Sequence, residues 1–261
     1  MQKLNLKKGL LGIFIALFAS LGAMLFIPQE DVYKPVETAN NIEYVIVAGH
    51  GDADNGQYLT PGKRSPIWPD GHQVLEGRST KLYALELTAS LESAGLDATI
   101  LNPLPYDMSL QERTKRINDM YKQDKRLFVI YVHHNAQQLT NANYVDKLGN
   151  KGFLSVADGG ATGAESYTSV GRTRSDTFNN DYLIPQLEKD IPEVAWRYGS
   201  GTKGKEANFY VLKNTIPPGV LIEWCFMTTY PDSQKISSKD IRTRWVQSVT
   251  NACLNYENSL C

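Results

Sequence analysis

Cysteine is scarce in this chain, with three among 261 residues (Cys225, Cys253 and Cys261). That is too few for a disulfide-stapled scaffold, and none stands in the paired C-x-x-C spacing of a structural zinc ribbon. An excess of either charge is missing too. Lys and Arg together number 27 against 28 for Asp and Glu, so nothing marks the chain for neutralising phosphates and no nucleic-acid partner is expected. Internal repeats, low-complexity tracts and a phosphate-loop spacing are absent. The glycine-rich stretch GGATGAESYTSVG (159–171) reads as a substrate-side loop, not a nucleotide site. What remains, 42% apolar and 21% charged, is the composition of an ordinary globular domain.

One long stretch lacks charge altogether. GLLGIFIALFASLGAMLFI (9–27) follows Lys3, Lys7 and Lys8 and precedes Glu30 and Asp31. As a helix it would reach about 28 Å, close to the thickness of a hydrocarbon core. The basic residues on its N-terminal side predict that residues 1–8 stay in the cytoplasm and that everything after Pro28 lies outside. The small residues of ASLGA (19–23) also suit a signal peptidase, so the segment reads as an anchor or as a cleavable signal. Residues 28–41, polar and with two prolines, read as a tether.

Beyond residue 41 apolar runs alternate with amphipathic stretches. Strands are expected at 42–48, 97–101, 127–132, 152–157, 207–212 and 219–222. Helices are expected at 76–94, with Leu82, Leu85, Leu87 and Leu91 as its apolar positions and Gly95 closing it, at 109–123 behind a Ser109–Glu112 capping pair, at 173–189 and at 238–257. This interleaving predicts a single layered α/β domain with a mixed, largely parallel sheet flanked by helices.

The chemistry sits where the strands stop. His50, His133 or His134, and Glu223 each follow an apolar run, and Glu76 opens a helix after the long loop 51–75. Ligands of open α/β sheets bind at the carboxyl ends of strands, so residues far apart in sequence can meet there. Two imidazoles and a carboxylate form a catalytic zinc set with a fourth position left for water, and a further carboxylate can move the proton of that water. Adjacent strand residues point to opposite faces, so His133 and His134 do not both belong to one ion. Glu86 lies about 15 Å further along the helix that Glu76 opens, too far to join it. His72 (in PDGH, 69–72) reads as a loop histidine and Cys225 as a packing residue. Asn135 would orient His133 or substrate, or simply end its strand; Cys253 and Cys261 are the pair that could bridge.

These segments, in this order, resemble the zinc-dependent N-acetylmuramoyl-L-alanine amidases of bacterial cell-wall hydrolases and phage endolysins. VIVAGHGDADNG (45–56) is similar to that family's strand ending in G-H-G. LEGRSTKLYALELTASLESAGLDATILNP (75–103) resembles its E-G helix and next strand, DMSLQERTKRIN (107–118) its S-L-x-x-R helix, and LFVIYVHHNA (127–136) its H-x-N-A strand. VLKNTIPPGVLIEWCFMTT (211–229) resembles its V-L-x-E and G-F-M-T-N ending. The resemblance implies a catalytic domain over 42–261, one zinc held by His50, Glu76 and His133, and Glu223 as catalytic acid–base. The implied substrate is peptidoglycan, cut between the lactyl group of N-acetylmuramic acid and L-alanine in the cell envelope. The alternatives are a tethered peptidoglycan-binding module without turnover, or a zinc amidase or peptidase for another amide. The chain departs from the pattern at Val47-Ala48, where the family has aspartate and proline. It departs also at Asp52 and Cys225, where the family has glycine, and at Thr229, where it has asparagine.

Overall fold

Within Glu43–Ala48 the side chains of Val45 and Val47 enter one apolar cluster, while Tyr44, Ile46 and Ala48 enter another on the opposite face. A strand covered on both faces has to be apolar at every position, which is why this run shows no alternation. The computed structural model describes residues 42–260 apart from 55–56, 62, 69, 125 and 138–159. The apolar run 9–27, the tether 28–41, the strand expected at 152–157 and Cys261 lie outside the described residues. Among those described, no helix is long and apolar enough to cross a membrane.

The elements are β1 (Glu43–Ala48), a short hairpin of β2 (Ala53–Asp54) and β3 (Gln57–Tyr58), α1 (Glu76–Ser93), β4 (Asp97–Ile100), α2 (Leu110–Gln123), β5 (Leu127–Asn135) and β6 (Glu165–Thr168). There follows a helix α3 made of Thr173–Thr177, a π-helical segment Phe178–Leu183 and Ile184–Asp190. The chain ends with β7 (Lys205–Glu206), α4 (Tyr210–Asn214), β8 (Gly219–Phe226), α5 (Tyr230–Ser237) and α6 (Lys239–Asn258). The main sheet runs β4-β1-β5-β8-β6-β7. Neighbours are parallel except β6 against β8. α1, α3 and α6 pack on one face, and α2 and α4 on the other. This is the mixed, largely parallel α/β sheet that the sequence predicts.

Several expectations are corrected. β5 and β8 continue through Asn135 and Phe226, so His133, His134 and Glu223 lie inside strands and not beyond them. The strand expected at 207–212 is not formed: from Tyr210 the chain makes the helical turn α4. Val211 and Leu212 are adjacent yet both buried in one cluster, which a helical turn allows and a strand would forbid. The stretch 159–171, expected as a loop, contains β6. On α1 the inward face is Tyr83, Ala84, Leu87 and Leu91, spaced at helical intervals, while Leu82 and Leu85 face outward. Ser109 does cap α2, accepting from the Glu112 N–H at 3.1 Å.

Candidate metal centre and its flank

Beyond β1 the chain turns sharply through Gly49 and His50, the latter with a left-handed φ of 59°. A side chain at Gly49 would put its Cβ 2.6 Å from Nδ1 of His133, so only glycine lets the turn pass the imidazole. The turn is held by side chains aimed at its backbone. Thr80 Oγ1 donates to the Gly49 carbonyl at 2.7 Å, and Asn102 bonds both the N–H and the carbonyl of Ala48, each at 3.2 Å. The buried guanidinium of Arg113 donates to the carbonyls of Ala48 and, at 2.9 Å, Met108, and its Nη2 lies 3.5 Å from the carbonyl of His50. Arg113 and Ser109 belong to the same S-L-x-x-R segment, one capping α2 and the other reaching back from its first turn to the His50 turn.

Glu76 is the first residue of α1, where the helix N-terminus favours a carboxylate. The loop 51–75 folds back to cap this end: the Glu76 N–H donates to the Lys63 carbonyl at 2.9 Å and the Gly77 N–H to the Tyr58 hydroxyl at 2.8 Å. A Cβ at Gly77 would stand 1.8 Å from the Gly51 carbonyl oxygen, so the E-G pair lets loop and helix touch. The Glu76 carboxylate is 2% exposed. Its Oε2 lies 3.3 Å from Nε2 of His50, and its Oε1 lies 3.3 Å from Nδ1 of His133 and accepts from the His134 N–H at 3.2 Å.

Donor atoms of His50, Glu76 and His133 all lie within 4.8 Å of one another. The two imidazoles meet edge to face with centroids 5.1 Å apart. Burial alone would raise the Glu76 carboxyl, but hydrogen bonding and charge from His133 and His50 hold it well below the ordinary carboxylate range. Burial lowers His133, against the pull of Glu76. A buried carboxylate facing two imidazoles, with no Lys or Arg paired to it among the described residues, suits a divalent cation.

His134 points the other way, as the strand alternation requires. Its Nδ1–H donates to the Trp224 carbonyl at 2.9 Å and its Nε2 accepts from the Ser79 hydroxyl at 2.8 Å. Burial pushes it down to about 4, so it stays neutral. His72 bonds the Ser233 carbonyl at 3.1 Å in its loop, and Glu86 pairs with Arg242 at 2.9 Å. Cys225 and Cys253 are buried, and among the described residues both are free thiols. Cys225 carries a left-handed φ of 61° at a bulge: His133 pairs with Glu223 but Asn135 with Phe226, so β8 fits one extra residue there. Glycine, which the resemblance puts at this position, adopts such a φ without strain.

One row crosses the sheet from the cluster. His133 pairs with Glu223, and Glu223 with Glu165. Glu223 lines the same cleft as the cluster, a cavity of about 820 Å³. Among the described residues its buried Oε2 has no hydrogen-bond partner. Burial, then the charges of Glu76 and Glu165, raise this carboxyl well above its usual value, opposed by Lys63. Glu165, which the sequence reading missed, is fully partnered. It accepts from Arg197 at 2.7 Å, Lys205 at 2.8 Å and Asn135 at 3.0 Å, and from the Tyr167 hydroxyl. Asn135 therefore serves Glu165, not His133. The A-E-S-Y-T run inside the glycine-rich stretch is the signal that could have revealed it.

An α/β sheet that gathers two histidines and a glutamate at the carboxyl end of its parallel strands carries a candidate metal centre at the place where such sheets bind ligands. The chain belongs to the N-acetylmuramoyl-L-alanine amidase family designated Amidase_3, whose sequence profile matches residues 45–255. It is similar to the N-acetylmuramoyl-L-alanine amidase LytC of Bacillus subtilis (strain 168), 24% identical over 212 residues that cover 81% of this chain and 34% of that protein. It thus spans about a third of the length of that relative. Among solved structures it is similar to an N-acetylmuramoyl-L-alanine amidase from Clostridium difficile 630, with a TM-score of 0.61 at 21% identity over 84% of this chain and 98% of that one. AmiC2 of Nostoc punctiforme gives a TM-score of 0.58 at 19% identity, over 83% and 97% of the two chains. At these identities the two structures speak to the fold.

Proposed function

We propose that this chain is a zinc-dependent peptidoglycan hydrolase that cuts the amide between the lactyl group of N-acetylmuramic acid and the L-alanine of the stem peptide. The observation that carries this reading is the convergence of three donors, from a β1 turn, a helix start and a strand, within 4.8 Å beside a carboxyl with an oxygen unpartnered among the described residues, in a chain of the amidase family. His50, Glu76 and His133 would hold the zinc. Bound there, the ion supplies Lewis acidity to the scissile carbonyl and to an attacking water.

Glu223 supplies proton transfer. Its free oxygen has nothing to give up before it accepts the proton of the attacking water, and its raised proton affinity favours taking and holding that proton until the more basic L-alanine nitrogen departs with it. Arg113, Asn102 and Thr80 keep the His50 turn in place throughout, so the imidazole needs no reorganisation when it binds. The complete donor set speaks against a binding module without turnover.

Residues 9–27 are read as the segment that brings the domain to the membrane surface, leaving 42–261 on the outer side where peptidoglycan lies. The purified full chain with zinc should release free-amino stem peptides from sacculi, and a chelator should stop it. Release of sugar reducing ends without new alanine amino groups would refute the assignment.

A further inference from the structure

Lys63 stands where loop 51–75 closes on the centre, with its backbone pinned and its side chain free. Its N–H donates to the Thr60 carbonyl at 2.9 Å, and its own carbonyl accepts from the Glu76 N–H at 2.9 Å and the Tyr58 hydroxyl at 2.8 Å. Lys63 lines the cleft that holds Glu223, its charge acts on that carboxyl, and it makes no ion pair among the described residues. The other fixed cation of the cleft, Arg113, is buried and directed at backbone carbonyls. Lys63 is therefore the cleft's cation left for a substrate.

On the amidase reading, which this inference rests on, the substrate is asymmetric. The lactyl carboxyl is consumed in the scissile amide, so the glycan side brings no carboxylate to the cleft. The peptide side does, beginning with the α-carboxylate of the γ-linked glutamate that follows L-alanine in a non-amidated stem. Glu223 hands its proton to the departing amine, so a cation beside Glu223 faces the peptide side. Exposed apolar side chains of Leu110, Phe209 and Tyr210 line the same cleft from the ends of α2 and α4 and offer surface to the uncharged part.

We propose that Lys63 is a specificity-determining residue that takes this second-position carboxylate, so that the protein favours free-acid stems over stems amidated at that position. Two synthetic muramoyl peptides, identical but for carboxylate or carboxamide at the second residue, test it with the zinc-loaded full chain. The wild type should prefer the carboxylate by about fivefold in kcat/KM, mostly through KM, as a solvent-accessible ion pair allows. Added salt should shrink the preference. Lys63→Gln should bring the ratio to about one, and Lys63→Arg should keep it. Equal kcat/KM for the two stems in the wild type, or a preference that survives Lys63→Gln, overturns the role of Lys63 and leaves the amidase reading standing. Failure to cleave both stems overturns the amidase reading, and the role of Lys63 with it.

Discussion

The two halves of the site sit side by side on one sheet and are held in opposite ways. In the donor half Glu76 is tied to two imidazoles and a backbone N–H, and the His50 turn to Thr80, Asn102 and Arg113. In the flank, Glu223 keeps a buried oxygen without a partner among the described residues, although its register neighbour Glu165 has four. The difference fits the tasks proposed for the two halves. Donors for a cation gain from being fixed before it arrives, whereas a group that must accept and return a proton cannot have its lone pairs already engaged.

Breaking the donor half should give the largest effect. Glu76→Ala removes the carboxylate that both imidazoles face and should lower amide hydrolysis by about a thousandfold or more, measured as alanine amino groups released from sacculi. Glu223→Gln touches the flank alone. It should keep the metal and lose about 10²–10⁴-fold in kcat; wild-type turnover in this variant would remove Glu223 from the mechanism.

The brace should show in stability before chemistry. Arg113→Ala leaves the carbonyls of Ala48 and Met108 short of a donor and should cost about 2–4 kcal/mol in denaturant unfolding, with loosened metal affinity.

The flank should also show a pH-dependent cost. Glu223 has a folded pKa above its unfolded value near 4.5, so its ionisation favours unfolding. The penalty is absent below that unfolded value and grows as pH rises towards the folded one. In the metal-free protein Glu223→Gln should therefore raise Tm at pH 7 and leave it unchanged at pH 4. A variant that melts lower than the wild type at pH 7 would show that the carboxyl is stabilising there.

The smallest effect belongs to the bulge. At the left-handed φ of Cys225, Gly should be more stable than Ala by about 1 kcal/mol, the reverse of their usual order. Thermal melts of Cys225→Gly and Cys225→Ala decide it.

The donor half was legible in the sequence because its residues are local punctuation. A glycine pair flanks His50, a glycine follows Glu76, and an apolar run leads into His133. Each glycine is required by a close approach that the fold creates. The flank was only half legible. Glu223 ends a readable apolar run, but Glu165 lies on a four-residue strand, ESYT, whose pairing with β8 supplies the order that its composition does not. The turn at 210–214 was misread for a related reason. Four to six apolar residues satisfy a strand and a helical turn alike until the surrounding packing decides.

Zinc content per chain tests the central claim most directly. After equilibration with zinc and removal of the excess, the wild type should retain about one equivalent, and Glu76→Ala should retain almost none. A wild type that comes out zinc-free, or a Glu76→Ala protein that holds its full equivalent, would contradict the account.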